Sequence, residues 1–401
     1  MPPVNERRSA NSLTLLEGST ELFPALIKAM DEARTQIRLE TYIFDFTAGG
    51  ESVAVALERA AQRGVETLVM VDGVGTDALS PQWQKRFEAA GVQWRVFTPL
   101  GRFGILAPSR WRRLHRKLCC IDRRVAFCGG INILDDFHDP NHGALDAPRF
   151  DFAVRITGRL VGEIHDAISQ VWLKGQRHDR LRVTVQAVVQ ASRAAFHPSS
   201  PNQLPSSEDG IRSALVLRDN LRYRSRIEQA YRKAISQAKN EVIIANAYFV
   251  PGRKLRQALV MAARRGVKVQ LLLQGKYEYF MQYYAARPVY GVLLAAGVEI
   301  HEYSASFLHA KVAVVDGQWA TVGSSNLDPL SLLLAREANV SVQHQPFAQA
   351  LRARLINAME HQGDRMDPAE YAERPLRQRC FEWTAYGLMR AALKLQGRKY
   401  L

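Results

Sequence analysis

Two stretches of the chain carry the same set of chemistry-bearing side chains. The first reads His115-x-Lys117, then Asp122, then Gly129-Gly130-x-Asn132; the second reads His309-x-Lys311, then Asp316, then Gly323-Ser324-x-Asn326. Every matching position is displaced by 194 residues (309 − 115). With five residue types fixed, one such chance match is on the order of 10⁻⁴, and two at related places are far rarer. His and Lys two apart, within the apolar runs 114–121 and 308–315, share one face of a β-strand. An imidazole and an ammonium on one face suit an anionic phosphorus centre: the lysine holds non-bridging oxygens while the imidazole attacks or donates a proton. Asn132, Asn326 and Ser324 follow a glycine turn and are expected to add neutral donors to the same oxygens. Gly130 stands where the second stretch has Ser324, so the two half-sites are not equivalent. A lone histidine would more often be a satisfied core residue; repetition together with Lys and Asn leaves that reading little weight.

The scaffold for these residues is also written twice. Segment 37–44 reads as a strand, 52–63 as a helix and 64–72 as a glycine-led strand; 241–250, 254–265 and 266–273 repeat the order. In both copies a helix ending in basic residues meets a glycine, the expected helix stop. Tyr42 matches Tyr248 and Gly91 matches Gly297, each 206 apart. Strands alternating with helices of this length predict an α/β fold of two tandem domains, each a mixed sheet flanked by helices. The expected divisions are 1–180 for the first domain, 181–210 for a linker, 211–346 for the second domain and 347–401 for a basic helical extension. Within the linker, 197–210 is rich in Pro and Ser.

With 54 Lys and Arg against 39 Asp and Glu, the net charge is +15, which implies an anionic partner: nucleic acid, a lipid headgroup surface or a phosphorylated substrate. A hydrophobic share of 47% and a charged share of 23% exclude a largely disordered or collagen-like chain. No apolar run approaches the roughly 18 residues of a spanning helix, and the first residues lack the order of a signal peptide. Four cysteines form neither a disulfide framework nor a CxxC ligand set, so reduced thiols on the cytoplasmic side are expected. Segment 110–124 holds seven Lys and Arg against one acid, beside the apolar stretch 103–108 and Trp111. That rim could dip into a headgroup layer or be a solvated basic loop. The tail 381–400 interleaves aromatic and basic residues, and two readings stand open for it: an interfacial helix, or a helix packed on the domain.

The motif stretches HRKLCCIDRRVAFCGGIN and FLHAKVAVVDGQWATVGSSNLDPLS, with NAYFVP, resemble those of the phospholipase D superfamily. They are most similar to its bacterial cardiolipin synthases of the short type that lacks amino-terminal membrane helices, and the resemblance spans most of the chain. It implies two domains facing each other across a pseudo-two-fold axis. It also implies transfer of a phosphatidyl group to phosphatidylglycerol through a phosphohistidine, with His115 the first choice of nucleophile. His115, Lys117, Asp122, His309, Lys311 and Asp316 are then the catalytic set, although Asp122 and Asp316 could instead tie their loops to backbone amides. Lys117 and Lys311 would supply the charge that a divalent cation gives elsewhere, so no metal and no cofactor is implied. A downstream carboxylate commonly orients each histidine, a role carried here to Asp151 and Glu337; the alternative is a carboxylate that merely begins a surface strand. The implied partners are phospholipid substrates and an anionic membrane surface, with a peripheral place on the cytoplasmic face of the inner membrane and no nucleic acid. Within the same chemistry, a phospholipase D passing the group to water is the runner-up. A nuclease would also suit +15, but two full motifs in one chain and the apolar loop at 103–108 weigh against it, as the intact His-Lys pairs weigh against a non-catalytic lipid-binding module.

Overall fold

The computed structural model describes residues 10–99, 112–139, 142–179, 211–219, 223–276, 280–328 and 335–395. The first half contains β1 (Ser12–Glu17), α1 (Gly18–Asp31), β2 (Gln36–Thr41), α2 (Ala48–Gln62), β3 (Glu66–Asp72), α3 (Pro81–Ala90) and β4 (Gln93–Phe97). It continues with β5 (Arg113–Leu114), β6 (Lys117–Ile121), β7 (Val125–Gly129), the short pair β8 (His138–Asp139) and β9 (Gly143–Ala144), β10 (Phe152–Thr157) and α4 (Leu160–Asp179). The second half follows with β11 (Arg212–Arg218), α5 (Arg226–Gln237), β12 (Glu241–Asn246), α6 (Arg253–Arg264), β13 (Lys268–Gln274), α7 (Phe280–Leu294) and β14 (Glu299–Tyr303). It ends with β15 (Lys311–Val315), β16 (Trp319–Gly323), β17 (Ala335–Gln343), α8 (Gln345–Gln362), β18 (Gly363–Arg365), α9 (Pro368–Ala372) and α10 (Leu376–Leu395).

The two sheets have one topology. The first runs β1-β10-β7-β6-β2-β3-β4, the second β11-β17-β16-β15-β12-β13-β14 with β18 added at its edge. In each, the three strands of the βαβαβ portion are parallel and the motif hairpin lies antiparallel beside it. The motif strands β6 and β15 are buried along their whole length, which is why they read as unbroken apolar runs instead of alternating ones. Gly64 and Gly266, both at φ 86°, follow the basic ends of α2 and α6; the left-handed turn that each helix makes into its next strand is cheap only for glycine.

One hydrophobic cluster lies between the sheets, where Leu118, Phe152 and Val154 of the first meet Val312, Val322 and Val340 of the second. Separate clusters pack α1, α2 and α3 on the outer side of the first sheet and α5, α6 and α7 on the outer side of the second. The result is a four-layer stack, helices outside and two sheets within. Helix α8 belongs to the central cluster through Phe347, Leu351, Leu355 and Met359, as α4 does through Ile164 and Ile168. Helix α8, which follows the expected boundary at 346, thus packs with the sheets. Segment 103–108, Trp111, the linker 181–210 and the tail end 396–401 lie outside the described residues.

The halves differ at one buried pair. Glu40 lies opposite Leu118 in the β2–β6 register, where Ala245 lies opposite Val312. Arg116, between the motif His and Lys, reaches Glu40 at 2.6 Å and the Ala167 carbonyl at 3.2 Å; its counterpart is Ala310. A buried ion pair in the first half thus replaces two core alanines of the second.

Candidate active site

The sheets are stitched together where the histidines lie. Strand β5, which leads into His115, pairs in parallel with β17 of the other half, Leu114 opposite Arg336. In the symmetric place Leu308, leading into His309, bridges Phe150 in parallel. The backbone N–H of His115 donates to Arg336 O at 3.1 Å, and that of His309 to Phe150 O at 2.9 Å. Each histidine is therefore held next to a carboxylate that belongs to the opposite half, because Glu337 follows Arg336 and Asp151 follows Phe150.

The side chains follow this crossing. His115 Nδ1 lies 3.1 Å from Glu337 Oε1 and 3.2 Å from Oε2. His309 Nδ1 lies 2.6 Å from Asp151 Oδ2. Glu337 and Asp151 are buried and the two imidazoles nearly so. Lys117 and Lys311 open β6 and β15 on the histidine side of each strand. Lys117 Nζ donates to His115 O at 2.9 Å, and Lys311 Nζ donates to His309 O. Both lysines act electrostatically on both histidines, and His115 acts on His309, so the two half-sites form one charged cluster.

Burial sets the protonation of this cluster. It draws Lys117 down to about 7, aided by Lys311, against the opposing pull of Glu337 and Asp151. It pushes Asp151 up to about 7 despite Lys311, the Phe152 N–H and Lys117. Burial and both lysines hold His309 well below the usual imidazole range, and burial lowers His115 too, Glu337 opposing. Glu337 departs from the pattern: burial raises it, but His115, Lys117 and the Ser324 hydroxyl together bring it below the ordinary carboxylate value.

Three residues of the motifs have partners in the scaffold. Ser324 was expected to face the phosphate; its hydroxyl instead donates to Glu337 Oε2 at 2.5 Å and accepts from the Ala338 N–H at 3.1 Å, because Ser324 lies beside β17 in the sheet. For Asp122 and Asp316 two readings stood open, a catalytic role or a tie from the motif loop to backbone amides. They sit at the far ends of β6 and β15, in the hairpin turns, at φ 51° and 52°. The Asp122 carboxylate accepts the backbone N–H groups of Arg34, Thr35 and Gln36 at 2.8–2.9 Å. Asp316 does the same for Lys239, Asn240 and Glu241 at 2.8–2.9 Å. They fasten the motif hairpin to the turn before β2 or β12.

Burial raises Asp316, but these three N–H bonds outweigh it and depress its pKa. A carboxylate so depressed stabilises the fold above the ordinary carboxylate pKa and loses that contribution as pH falls through the folded value. Asp316→Ala is expected to cost about 2 kcal/mol at neutral pH, since three amide donors lose a charged acceptor. The loss should shrink toward pH 3, and unfolding in urea at the two pH values measures it.

Asn132 Oδ1 accepts the Ile43 N–H at 3.1 Å, turning its carbonyl to the scaffold, while Asn326 Oδ1 is buried with no partner in the structure. The ring of Tyr42 lies 4.9 Å from that of His115, and Lys117 Nζ stands 5.4 Å from the Tyr42 centroid. The match of Tyr42 to Tyr248 is the only mark of this tyrosine in the sequence. Arg149, which adds positive potential at His309, and the Arg116–Glu40 pair left no such signal. Among the described residues, no group of three or more His, Cys, Asp or Glu side chains is arranged to hold a metal ion.

The family described as cardiolipin synthase, phospholipase D-like domain, matches residues 26–144 and 231–359, one match in each half. The chain is 39% identical to cardiolipin synthase B of Escherichia coli (strain K12) over 348 residues, 87% of this chain and 80% of that protein. It is 30% identical to the cardiolipin synthase of Geobacillus kaustophilus over 374 residues, 93% of this chain and 71% of that one. In fold it resembles the crystal structure of phosphatidylserine synthase from Haemophilus influenzae Rd KW20, with TM-score 0.67, 13% identity, and coverage of 96% of this chain and 93% of that one. With the duplicated motif, the common topology of the two sheets and these relatives, the chain belongs to the cardiolipin synthase family of phospholipase D-like proteins.

Proposed function

We propose that the chain transfers a phosphatidyl group from one phospholipid, phosphatidylglycerol or phosphatidylethanolamine, to the free hydroxyl of phosphatidylglycerol. The observation that carries this reading is the crossed pairing of each motif histidine with a carboxylate of the opposite half, around two shared lysines. A carboxylate at Nδ1 keeps a proton there and leaves Nε2 for the substrate. His115 Nε2 attacks the phosphorus and the bond to the first alcohol breaks. His309, protonated, gives its Nε2 proton to the leaving oxygen. It then takes the proton of the incoming hydroxyl, whose oxygen displaces His115 from phosphorus. Lys117 and Lys311 hold the non-bridging oxygens through both steps. Burial and then the lysine charges depress His309, and the negative diester offsets the second of these, which favours the protonated acid.

The reaction takes place at a membrane surface, on its cytoplasmic face, with the chain bound peripherally. No helix among the described residues is long and apolar enough to cross a bilayer, and the net charge of +15 favours anionic lipid.

Incubation with labelled phosphatidylglycerol vesicles, with and without phosphatidylethanolamine, followed by lipid mass spectrometry, tests the assignment. Cardiolipin with released glycerol or ethanolamine is the expected product. Phosphatidic acid as the main product would make the chain a hydrolase, and no lipid conversion would remove the lipid reading altogether.

The pH profile follows from two groups. Below pH 7 Asp151, pushed up to about 7, is protonated and no longer holds the His309 proton; above it Lys117, drawn down to about 7, loses its charge. In the free enzyme kcat/KM is therefore expected to form a narrow bell centred near pH 7, with about a quarter of the molecules correctly protonated at its peak if the groups titrate independently. Lys117→Arg keeps its charge and should flatten the alkaline limb at reduced kcat. A wild-type profile flat from pH 6 to 9 contradicts the assignment.

A further inference from the structure

Helix α10 packs on the molecule along one narrow arc. Glu382, Ala385, Tyr386 and Met389 are buried, and the Phe381 and Tyr284 rings meet edge-on at 4.9 Å. The opposite arc, at 3.6 residues per turn, carries Leu376, Trp383 and Leu388 at 73%, 56% and 60% exposure. Between them lie the small, exposed side chains of Cys380, Thr384, Gly387 and Ala391, with Arg377 beside Leu388. Among the described residues of α10 and α7, no acid lies on this face. The helix has one carboxylate, Glu382, which is buried and pairs with Arg374 at 2.8 Å. Arg377 and Arg379 are exposed, and α7 alongside contains no Asp or Glu.

The helix also points toward the site. Tyr371, just before it, donates its hydroxyl to Arg287 O, whereas Phe381 meets Tyr284. α10 therefore runs antiparallel to α7, toward the start of α7. That start follows the end of β13, where Gln274 Oε1 accepts the Leu308 N–H at 2.9 Å, next to His309.

We propose that this face of α10 docks the chain on an anionic lipid surface, with Trp383 and Leu388 entering the headgroup layer and Arg377 and Arg379 meeting the phosphates. An apolar face edged by arginines, with no carboxylate among the described residues of α10 and α7, has the form of an interfacial helix. A second copy of the chain fits it poorly, because two such faces would bring arginines together with no acid between them. The proposal rests on the lipid reading of the site and adds to it the surface through which lipid is reached.

Co-sedimentation of the full chain with phosphatidylglycerol and phosphatidylcholine vesicles tests it, comparing wild type with Trp383→Glu/Leu388→Glu. Wild type should bind the anionic vesicles, and the double variant about 100-fold more weakly, tenfold per residue, with an unchanged melting temperature. Arg377→Glu/Arg379→Glu should lose the preference for anionic lipid. Undiminished vesicle binding by the first variant overturns the proposal. So does a wild-type dimer that the variant turns into a monomer while vesicle binding persists, which would give the face to a second copy. Turnover of a short-chain phospholipid below its micelle concentration separates docking from chemistry. Its absence in wild type would sink the lipid-transfer reading of the site and leave the vesicle result to stand or fall by itself.

Discussion

Replacing His115 or His309 with alanine is expected to lower phosphatidyl transfer by about 10⁴-fold or more, and replacing both should be little worse than replacing either. The non-additivity follows from one reaction path: without the nucleophile there is no covalent intermediate for the second imidazole to serve. The two single variants should nonetheless differ in kind. A phosphodiester with a nitrophenolate leaving group needs no proton at departure, so His309→Ala should regain its first step with that substrate and accumulate a labelled protein. His115→Ala should remain unlabelled. Labelling of His115→Ala but not His309→Ala would exchange the two roles, and retention of more than about 1% activity by either variant would remove the shared site. Both histidines are only slightly exposed, 15% and 18% at the side chain, so melting temperatures must accompany the kinetics.

The duplicated chemistry was legible in the sequence because it lies in local spacing. His-x-Lys within an apolar run specifies a buried strand with two polar groups on one face, and β6 and β15 have that form. The common strand order was legible for the same reason: glycines such as Gly64 and Gly266 recur where each helix must turn into a strand. What spacing does not contain is which half supplies a partner. Glu337 follows the second motif yet pairs with His115, because β5 pairs with β17 across the interface, and the single bond there from the His115 N–H to Arg336 O leaves no trace in the order of residues. In the sequence alone, a hydroxyl after a glycine turn, such as that of Ser324, resembles a phosphate donor. Only the sheet places it against a carboxylate instead. Asp122 and Asp316 recur with the motif although they do not touch the chemistry, since a hairpin that must present His and Lys also needs its turn fastened. The fastening of α8 into the central core was hidden by composition: its buried Phe347, Leu351 and Leu355 are interrupted by Arg352 and Arg354, which pair with Glu241 and with Glu17 and Glu21.

The crossed carboxylates give the second large effect. Glu337→Gln keeps the shape but replaces a charged acceptor with an amide that can offer its NH₂ to His115 Nδ1. The imidazole then favours the tautomer with its proton on Nε2, which has no lone pair to attack phosphorus. A loss of about 10³- to 10⁴-fold in kcat is expected, with KM nearly unchanged, since the phosphate-holding lysines remain. Ser324→Ala removes one of the donors to the same carboxylate and should cost only about tenfold. Asp151→Asn should act like Glu337→Gln, through His309. The asymmetry between Gly130 and Ser324 sharpens the test. Gly130→Ser gives the first half the residue of the second, and if the hydroxyl were simply a phosphate donor the change would be harmless or helpful. A Cβ at Gly130, however, would lie 2.3 Å from Asp151 Oδ1 and 2.6 Å from Oδ2. That short side chain is pinned by the Phe152 N–H at 2.7 Å and by His309 at 2.6 Å. Asp151 can yield only by leaving His309, so Gly130→Ser should lose about 10²-fold in kcat, with the acid limb of the pH profile lost as well. Full activity in Gly130→Ser would mean that His309 does not depend on Asp151, and the crossed relay would then have to be abandoned for that half.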